Sequence, residues 1–263
     1  MPTLSILVCT LNDRIKTIPA MLLAERSDVR YVVSFQFTDD MFLDMIPPNL
    51  QDRDDVTILL YPSTGLSANR NNSLRHCSTP LAIISDDDTR FSGAVFDRII
   101  ESFSSNEHLD IIRFSDGRLA CRMTPQLPAF DTRFGLGAQF LSCGEDEVFL
   151  HQAKTYGLQI VDTDDPLDPT NPYQGPWLRF GTDKRVRRSW GALQYMKYST
   201  ARSLVRIVIK ALTEGYGWKG RWLFFRDLYD GLSYIIRHPL NESVADDVPF
   251  DFQPIDIYKL ANV

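Results

Sequence analysis

The sequence predicts an α/β fold with a mainly parallel central sheet flanked by helices. Compact runs of aliphatic, β-branched and aromatic residues recur through the first 160 positions and have the length of buried strands. Segments with apolar residues at helical spacing separate several of these runs. The run at 81–84 ends in three carboxylates, and burying unpaired charges is costly. We therefore place those acids just past a strand end, where open α/β sheets bind ligands.

The predicted elements alternate along the chain. Strands are expected at 4–9, 31–37, 56–61, 81–84, 109–114 and 158–161. Helices are expected at 15–23, from Ser67 to the mid-seventies, at 94–103 and at 144–156. The segment 117–130 contains two prolines and is predicted to be a loop with a short strand, and 162–173 an acidic, proline-rich loop.

A change of composition at Trp177 predicts two regions. We expect residues 1–176 to hold the sheet and residues 177–263 to form a helical C-terminal region packed on it. The last stretch, 246–263, is predicted to be an irregular tail.

Composition excludes several classes of protein. A net charge of −6 and a pI near 5.2 argue against a general nucleic-acid binder, so we expect no nucleic-acid partner. The four cysteines show no C-x-x-C spacing and are interpreted as reduced thiols. No signal peptide and no membrane-length apolar run is recognised. The expected location is cytoplasmic.

The acidic cluster Asp86-Asp87-Asp88 predicts a metal site. Adjacent carboxylates repel one another, and a hard divalent cation such as Mg²⁺ or Mn²⁺ relieves that repulsion. Such a cation would be held against a phosphate-bearing substrate. An exposed acidic turn is the alternative interpretation of this stretch alone.

Two further stretches contain candidate binding residues. The helix after Ser67 carries Asn69 to Asn72, and asparagine is a poor residue for a helix interior. A helix this polar is poorly explained by stability, and its first turn would face the same crevice as the acidic cluster. Arg70 could there reach a base, ribose or phosphate, although an exposed polar face is the alternative. Farther on, Gly135 and Gly137 precede a helix that opens with Glu145 and Asp146. Because the two acids follow a glycine-rich loop, one interpretation is that they face the substrate. The simpler interpretation is that acids in a first helical turn suit the helix dipole.

The C-terminal region combines basic and aromatic residues. Basic side chains between Lys184 and Lys210 precede an aromatic stretch at 216–236. One interpretation is a surface for an anionic membrane or a lipid-linked phosphate at the inner face of the membrane. The other is ordinary helices packed on the sheet.

Four motifs together resemble the inverting glycosyltransferases of family 2, which have the GT-A fold. The matching segments are S-I-L-V-C-T-L-N-D-R, A-N-R-N-N-S-L, I-I-S-D-D-D-T and F-G-L-G-A-Q-F-L-S-C-G-E-D-E-V-F-L. Their order and spacing agree with the family between about residues 4 and 157. The last segment is similar to the acceptor loop and E-D helix of bacterial members, which act in surface-polysaccharide assembly.

The resemblance implies transfer of a sugar, with inversion, from a nucleotide-diphosphate donor, expected to be UDP-linked, to a hydroxyl of a glycan or lipid-linked acceptor. It implies Mg²⁺ or Mn²⁺ at Asp88 and Asp86, and Asp146 as the base with Glu145 orienting hydroxyls. The residues it assigns to the nucleotide are Thr10, Asn12, Asp39, Arg70, Asn71, Asp86 and Asp87. The residues it assigns to the acceptor are Gly135, Gly137 and Gly144.

Three alternatives are compatible with parts of the sequence. D-D-D-T is similar to the D-x-D-x-T motif of haloacid-dehalogenase-type phosphatases, but its threonine comes one place early and the motif follows a late strand. A metal-dependent nucleotidyltransferase would need a glycine-rich, lysine-bearing N-terminal loop, which is not seen. A non-catalytic nucleotide-sugar-binding protein would have no need for the E-D pair.

Overall fold

The computed structural model describes residues 3–170 and 175–239. The chain forms two compact units, Met1–Ala138 with Glu145–Gly175, and Gln139–Gly144 with Pro176–Val263. The predicted boundary after residue 176 stays a prediction, and the tail predicted at 246–263 lies outside the described residues. Within the described ranges, no helix is both long enough and apolar enough to pass through a bilayer.

The first unit contains a seven-stranded sheet that is mainly parallel, as predicted. Its strands are β1 Leu4–Leu11, β2 Val29–Gln36, β3 Val56–Tyr61, β4 Leu81–Asp86, β5 Ile111–Arg113, β6 Leu119–Arg122 and β7 Ile160–Asp162. They lie in the order β3-β2-β1-β4-β6-β5-β7. Strands β1 to β4 are mutually parallel, and β6 runs antiparallel between β4 and β5.

Helices complete both units. The α-helices are α1 Pro48–Gln51, α2 Leu66–Arg75, α3 Gly93–Ser105, α4 Glu145–Thr155, α5 Lys184–Lys197, α6 Thr200–Glu214 and α7 Gly217–Arg237. The first predicted helix is a 3-10 helix at Asn12–Ala20 that contains Pro19. Because proline lacks a backbone N–H and clashes with the preceding turn, it disfavours a regular α-helix there. Two other 3-10 helices are Asp40–Met45 and Pro176–Arg179.

Strand β1 lies where the strand order reverses. It pairs in parallel with β2 on one side and with β4 on the other. Such a switch point opens a crevice outside the carboxyl ends of the strands. The register sets Cys9 beside Asp86, and Leu11 beside Gln36. The polar residues that follow β1, β2 and β4 therefore converge at one edge of the sheet.

Each unit has its own apolar core. In the first unit, Phe149 and Ala153 of α4 pack with Ile111 and Cys121 of the sheet, and the Phe149 ring stacks on Phe130 at 4.4 Å. In the second, the core is formed mainly by side chains of α5, α6 and α7. It also encloses an ion pair in which Arg187 Nε and Nη2 donate to Asp227 Oδ2 at 2.9 Å and 2.7 Å. None of the four cysteines, which all lie in the described ranges, forms a disulfide.

Candidate active site

A cavity of about 450 Å³ lies at the carboxyl ends of β1, β2 and β4, where the sequence predicted a ligand site. Its lining comes from three parts of the first unit: the strand ends, the start of α2 and the glycine loop. The lining residues are Cys9, Thr10, Leu11, Arg14, Gln36, Thr64, Gly65, Leu66, Asn69, Asp86, Asp87, Asp88, Leu136 and Gly137.

The three aspartates have different environments. The Asp86 and Asp88 side chains are 45% and 53% exposed, whereas that of Asp87 is 5% exposed. Asp87 accepts hydrogen bonds from Thr10 Oγ1 at 2.8 Å and from Arg14 Nε at 2.8 Å. The Arg14 guanidinium also lies 3.8 Å from an Asp88 oxygen. Asp87 thus ties the turn after β1 to the end of β4, and leaves two carboxylates open to the cavity.

Arg70 connects the two acidic groups that the sequence predicted to face one ligand. Its Nη1 donates to Asp146 Oδ1 at 2.7 Å, and its Nη2 lies 3.4 Å from Asp86 Oδ1. Nη1 is also 3.8 Å from Glu145 Oε1, and the guanidinium stands 5.2 Å from the centre of the Phe130 ring. The strand-end aspartate and the E-D helix therefore meet at a single buried guanidinium.

Most polar side chains of α2 form hydrogen bonds with other segments of the first unit. Ser67 Oγ donates to the Phe134 carbonyl at 2.6 Å. Asn71 Nδ2 donates to the Phe130 carbonyl at 2.9 Å, and its Oδ1 accepts from the Phe130 N–H at 2.7 Å. Asn72 Nδ2 donates to Ser34 Oγ at 2.8 Å. These bonds explain why a helix so poor in intrinsic propensity forms here. A nucleotide contact by Asn71 stays a prediction.

Asn69 differs from its neighbours. Its Nδ2 donates to the Thr10 carbonyl at 3.1 Å, but its buried Oδ1 has no hydrogen-bond partner in the part of the chain that the structure describes. A buried acceptor without a partner is unfavourable by about 1–3 kcal/mol. Because Asn69 lines the cavity, a bound ligand could supply the missing donor.

Glu145 is the most buried of the candidate catalytic acids, at 8% exposure. Its Oε2 is buried and has no hydrogen-bond partner among the described residues. Burial, reinforced by the neighbouring Asp146 carboxylate, raises the pKa of Glu145 from 4.5 to about 7. Glu145 therefore exchanges a proton near neutral pH.

Asp146 is the more accessible acid, with a side chain 27% exposed. Burial raises its pKa above the ordinary value, and the Arg70 guanidinium opposes that rise. The helix start, which favours ionised carboxylates, acts in the same direction as Arg70. Asp146 thus lies in an environment where desolvation and ion pairing compete.

The glycine loop requires glycine for two reasons. Gly135 and Gly137 have φ angles of +106° and +84°, which side chains disfavour. A Cβ at 135 would also lie 2.8 Å from Ser67 Oγ, and one at 137 would lie 2.9 Å from the Cα of Gly65. Gly144, with a φ of +99°, directly precedes α4. An acceptor role for these three glycines stays a prediction.

Four predicted nucleotide contacts do not line the cavity: Arg70 and Asn71, described above, and Asn12 and Asp39. Asn12 has a φ of +54°, and its Oδ1 accepts from the Thr38 N–H at 3.0 Å. Asp39 is exposed and accepts from the Met41 N–H at 2.9 Å, at the start of a 3-10 helix. Both side chains brace turns after β1 and β2, and their contacts with a nucleotide stay predictions.

Several cavity residues were not among the predicted site residues, and three of them, Arg14, Gln36 and Asn69, carry guanidinium or amide side chains. Gln36 ends β2, is 2% exposed and donates to the Gly65 carbonyl at 3.2 Å. A polar residue at the end of an apolar strand was a usable signal for it. Arg14 follows the first strand by three positions, and only the fold reveals that it reaches the end of β4.

The donor set fits a divalent cation shared with a substrate. Among residues 3–170 and 175–239, no three His, Cys, Asp or Glu side chains are grouped to hold a metal by themselves. Mg²⁺ characteristically takes one or two carboxylates and completes its shell with water and substrate phosphates. The open carboxylates of Asp86 and Asp88 supply that number at the cavity wall.

Comparisons with known proteins assign the fold. No family model and no curated protein matches the sequence. Among solved structures, residues 1–349 of TarS from S. aureus match with 10% identity, 89% of this chain, 91% of that chain and a TM-score of 0.54. The fold is that of the GT-A glycosyltransferases.

Two metal-bound complexes are also similar in structure. The mannosyltransferase PcManGT from Pyrobaculum calidifontis, in complex with GDP-Man and Mn²⁺, matches with 14% identity, 93% of this chain, 78% of that chain and a TM-score of 0.50. Glucosyl-3-phosphoglycerate synthase from Mycobacterium tuberculosis, with Mn²⁺, UDP and phosphoglyceric acid, matches with 14% identity, 74% and 78% coverage and a TM-score of 0.51. At such identities the likeness concerns the fold.

Proposed function

We propose that this protein is a metal-dependent glycosyltransferase of the inverting, family 2 type, which moves a sugar from a nucleotide-diphosphate donor to a hydroxyl acceptor. The observation that carries the proposal is the Arg70 guanidinium, which joins Asp86 at the cavity to Asp146 at the start of α4. One buried cation between a strand-end carboxylate and a candidate base suits a reaction with a departing diphosphate on one side and an attacking hydroxyl on the other.

The donor is proposed to occupy the 450 Å³ cavity. The unpartnered Oδ1 of Asn69 would accept a hydrogen bond from the base or ribose. Arg70 would lie near the diphosphate, and Thr10 and Asp87 would fix the cavity floor through their mutual hydrogen bond. We keep UDP as the proposed nucleotide. PcManGT was solved with GDP-Man and the M. tuberculosis synthase with UDP, so both nucleotides belong in the assay.

Asp88 and Asp86 are proposed to hold Mn²⁺ or Mg²⁺ together with the donor phosphates. The bound cation would act as a Lewis acid that offsets the charge of the departing diphosphate. Asp87 is not proposed as a metal ligand, because its oxygens accept hydrogen bonds from Thr10 and Arg14, and its predicted contact with the nucleotide stays a prediction. Its role in the proposal is to hold the acidic turn so that its two neighbours face the cavity.

Asp146 is proposed to be the base. An acceptor hydroxyl must lose its proton as it attacks the anomeric carbon, and inversion requires attack opposite the leaving group. Asp146 lies on a different element from the aspartate cluster and is the more exposed member of its pair. Glu145, buried behind it with a pKa near 7, would orient hydroxyls. The glycine loop at Gly135 and Gly137 would border the acceptor, a glycan or lipid-linked molecule of a bacterial surface polysaccharide.

The decisive experiment separates donor binding from transfer. Thermal shift and calorimetry with UDP-sugars and GDP-sugars, with and without Mn²⁺, identify the donor. Asp88→Asn is expected to weaken metal-dependent binding at least tenfold, because it removes a metal ligand. Asp146→Asn is expected to preserve that binding and abolish transfer. Asp52→Asn, an exposed aspartate at the end of α1, is the control.

The outcomes assign the residues. Unchanged binding of nucleotide and Mn²⁺ by Asp88→Asn would remove Asp88 from the metal site. Normal turnover in Asp146→Asn together with loss in Glu145→Gln would move the base by one residue. Loss in neither variant would remove α4 from the mechanism.

A non-catalytic nucleotide-sugar-binding protein is the second candidate, favoured by the ion pair that occupies Asp146 in the structure. Metal-dependent hydrolysis of the bound nucleotide sugar without acceptor distinguishes the two functions. A transferase hydrolyses its donor slowly, whereas a binding protein leaves it intact. Release of pyrophosphate from a nucleoside triphosphate and a sugar phosphate would instead identify a nucleotidyltransferase.

A further inference from the structure

The second unit carries a large exposed apolar surface. It is formed by one face of α6 and the first half of α7, and we name it the α6–α7 surface. Its members are Leu204, Val205, Val208, Ile209, Leu212, Tyr216, Trp218 and Trp222. Val205, Ile209 and Leu212 are each more than half exposed, and Trp218 is 75% exposed. A large apolar patch on a solvent-exposed surface marks an interaction site.

Helix α6 is apolar on both of its sides. Ser203, Ile207 and Ala211 recur every four residues and are buried against the rest of the unit. Residues 204, 205, 208, 209 and 212 lie on the other side of the helix, where a surface helix ordinarily carries polar residues. The buried row accounts for the packing of α6. The exposed row has no such role among the residues that the structure describes.

Charge around the surface is basic, although the whole chain is acidic. Between residues 200 and 239, seven Lys or Arg residues stand against three Asp or Glu residues. Arg202, Lys219 and Arg221 are exposed, and none makes an ion pair with a described carboxylate. The three acids are engaged, since Glu214 pairs with Lys210 and the two aspartates pair with arginines of α5 or α7.

Exposed aromatic residues stand at the start of α7. Tyr216 is 98% exposed and Trp222 is 61% exposed. Trp222 stacks on Phe225 at 5.8 Å, and Phe225 stacks on Tyr229 at 5.9 Å, so the rings continue along one side of the helix. Tryptophan and tyrosine favour the headgroup level of bilayers, where an apolar ring and a polar edge are both satisfied.

We propose that the α6–α7 surface inserts into the headgroup region of an anionic membrane, with α6 lying in the plane of the interface. The apolar row would enter the boundary with the acyl chains, the aromatic rings would lie among the headgroups, and the unpaired Arg202, Lys219 and Arg221 would contact lipid phosphates. A symmetric contact with a second copy would place the same basic side chains opposite one another, so the charge of this surface favours an anionic bilayer. This proposal is independent of the proposed transferase activity.

The structure also changes which residues should make this contact. The sequence predicted a contact through the basic segment from Lys184 to Lys210 together with the aromatic stretch at 216–236. Half of that segment is α5, whose central residues are buried, and its Arg187 is spent on the ion pair with Asp227. The proposed contact therefore begins at α6 and extends into α7.

The test is sedimentation of the full chain with vesicles. Vesicles of phosphatidylcholine alone are compared with vesicles in which phosphatidylglycerol replaces part of it. Binding is expected only with phosphatidylglycerol at low salt, and should fall as the screening length shrinks from about 10 Å at 0.1 M to about 3 Å at 1 M. Lys219→Gln and Arg221→Gln should each weaken partitioning about fivefold.

Val205→Asp with Ile209→Asp tests insertion. Each change replaces an apolar side chain at an already exposed position, so folding is retained while partitioning falls about tenfold or more per site. Val161→Asp, an exposed valine on β7, is the matched control and should bind like wild type. No binding of wild type at low salt would overturn the proposal. Vesicle binding of the double variant equal to that of wild type would also overturn it. So would light scattering that shows a dimer for wild type and for Val161→Asp but a monomer for the double variant.

Discussion

Replacing Glu145 by glutamine should stabilise the protein at alkaline pH and leave it unchanged at acidic pH. Glu145 is buried, its Oε2 has no hydrogen-bond partner in the described chain, and its pKa is raised from 4.5 to about 7. Above pH 7 the folded protein must hold an ionised carboxylate that burial disfavours. Glutamine has nearly the same shape and never ionises.

The magnitude follows from proton linkage. Between pH 4.5 and about 7 the folded protein keeps a proton on Glu145 that the unfolded chain has released, so stability falls as pH rises through this window. One pKa unit corresponds to about 1.4 kcal/mol, which makes the full loss about 3 kcal/mol above pH 7. Below pH 4.5 both states hold the proton and the loss is absent.

The assay is urea denaturation of wild type and Glu145→Gln at pH 4.5, 6 and 8. The free energy of unfolding of the variant should exceed that of wild type by an amount that grows with pH towards about 3 kcal/mol. Glu101→Gln, at an exposed position on α3, should show a difference within about 0.5 kcal/mol throughout. A constant difference between Glu145→Gln and wild type across pH would refute the buried, proton-holding Glu145.

Three further substitutions test the packing. Gly191→Ala should destabilise the protein by about 3 kcal/mol in urea denaturation, because its methyl group would strike a backbone carbonyl of α7, whereas Gly181→Ala, which meets open space, should be nearly neutral. Asp227→Asn leaves Arg187 buried without its charge partner and should reduce unfolding free energy by about 3–5 kcal/mol. Asn71→Ala removes two hydrogen bonds to the backbone of Phe130 and should reduce the free energy of unfolding by about 2–4 kcal/mol, seen as a lower urea midpoint.

The parallel sheet was predictable because its strands have strong local signals. The strands predicted at 56–61 and 81–84 correspond to Val56–Tyr61 and Leu81–Asp86. Continuous apolar runs that end in polar turns define buried parallel strands without tertiary information. The helix predicted at 15–23 is instead a 3-10 helix at Asn12–Ala20, because apolar spacing alone does not register the effect of Pro19.

The sequence predicted that the Asp86–Asp88 cluster and the Glu145–Asp146 pair face one ligand, and in the structure both groups contact Arg70. The different environments of the three aspartates were not predicted. Three consecutive aspartates look alike in sequence, and only the fold shows that Asp87 turns inward to Thr10 and Arg14. Such contacts join residues more than 70 positions apart, which no local pattern encodes. The asparagines of α2 show the same limit: Asn71 serves a distant backbone, and Asn69 alone retains an open acceptor at the cavity.

The paired glycines of the second unit fix how two helices can move. A Cβ at Gly191 would meet the Leu228 carbonyl, and a Cβ at Gly231 would meet the Arg188 carbonyl, so each helix backbone fills the place of a side chain on the other. Arg188 lies three positions before Gly191 on α5, and Leu228 lies three positions before Gly231 on α7, so the contact is reciprocal. Sliding either helix by one residue would bring a side chain against a carbonyl. The two helices are therefore held in a single register and are expected to move as one rigid pair.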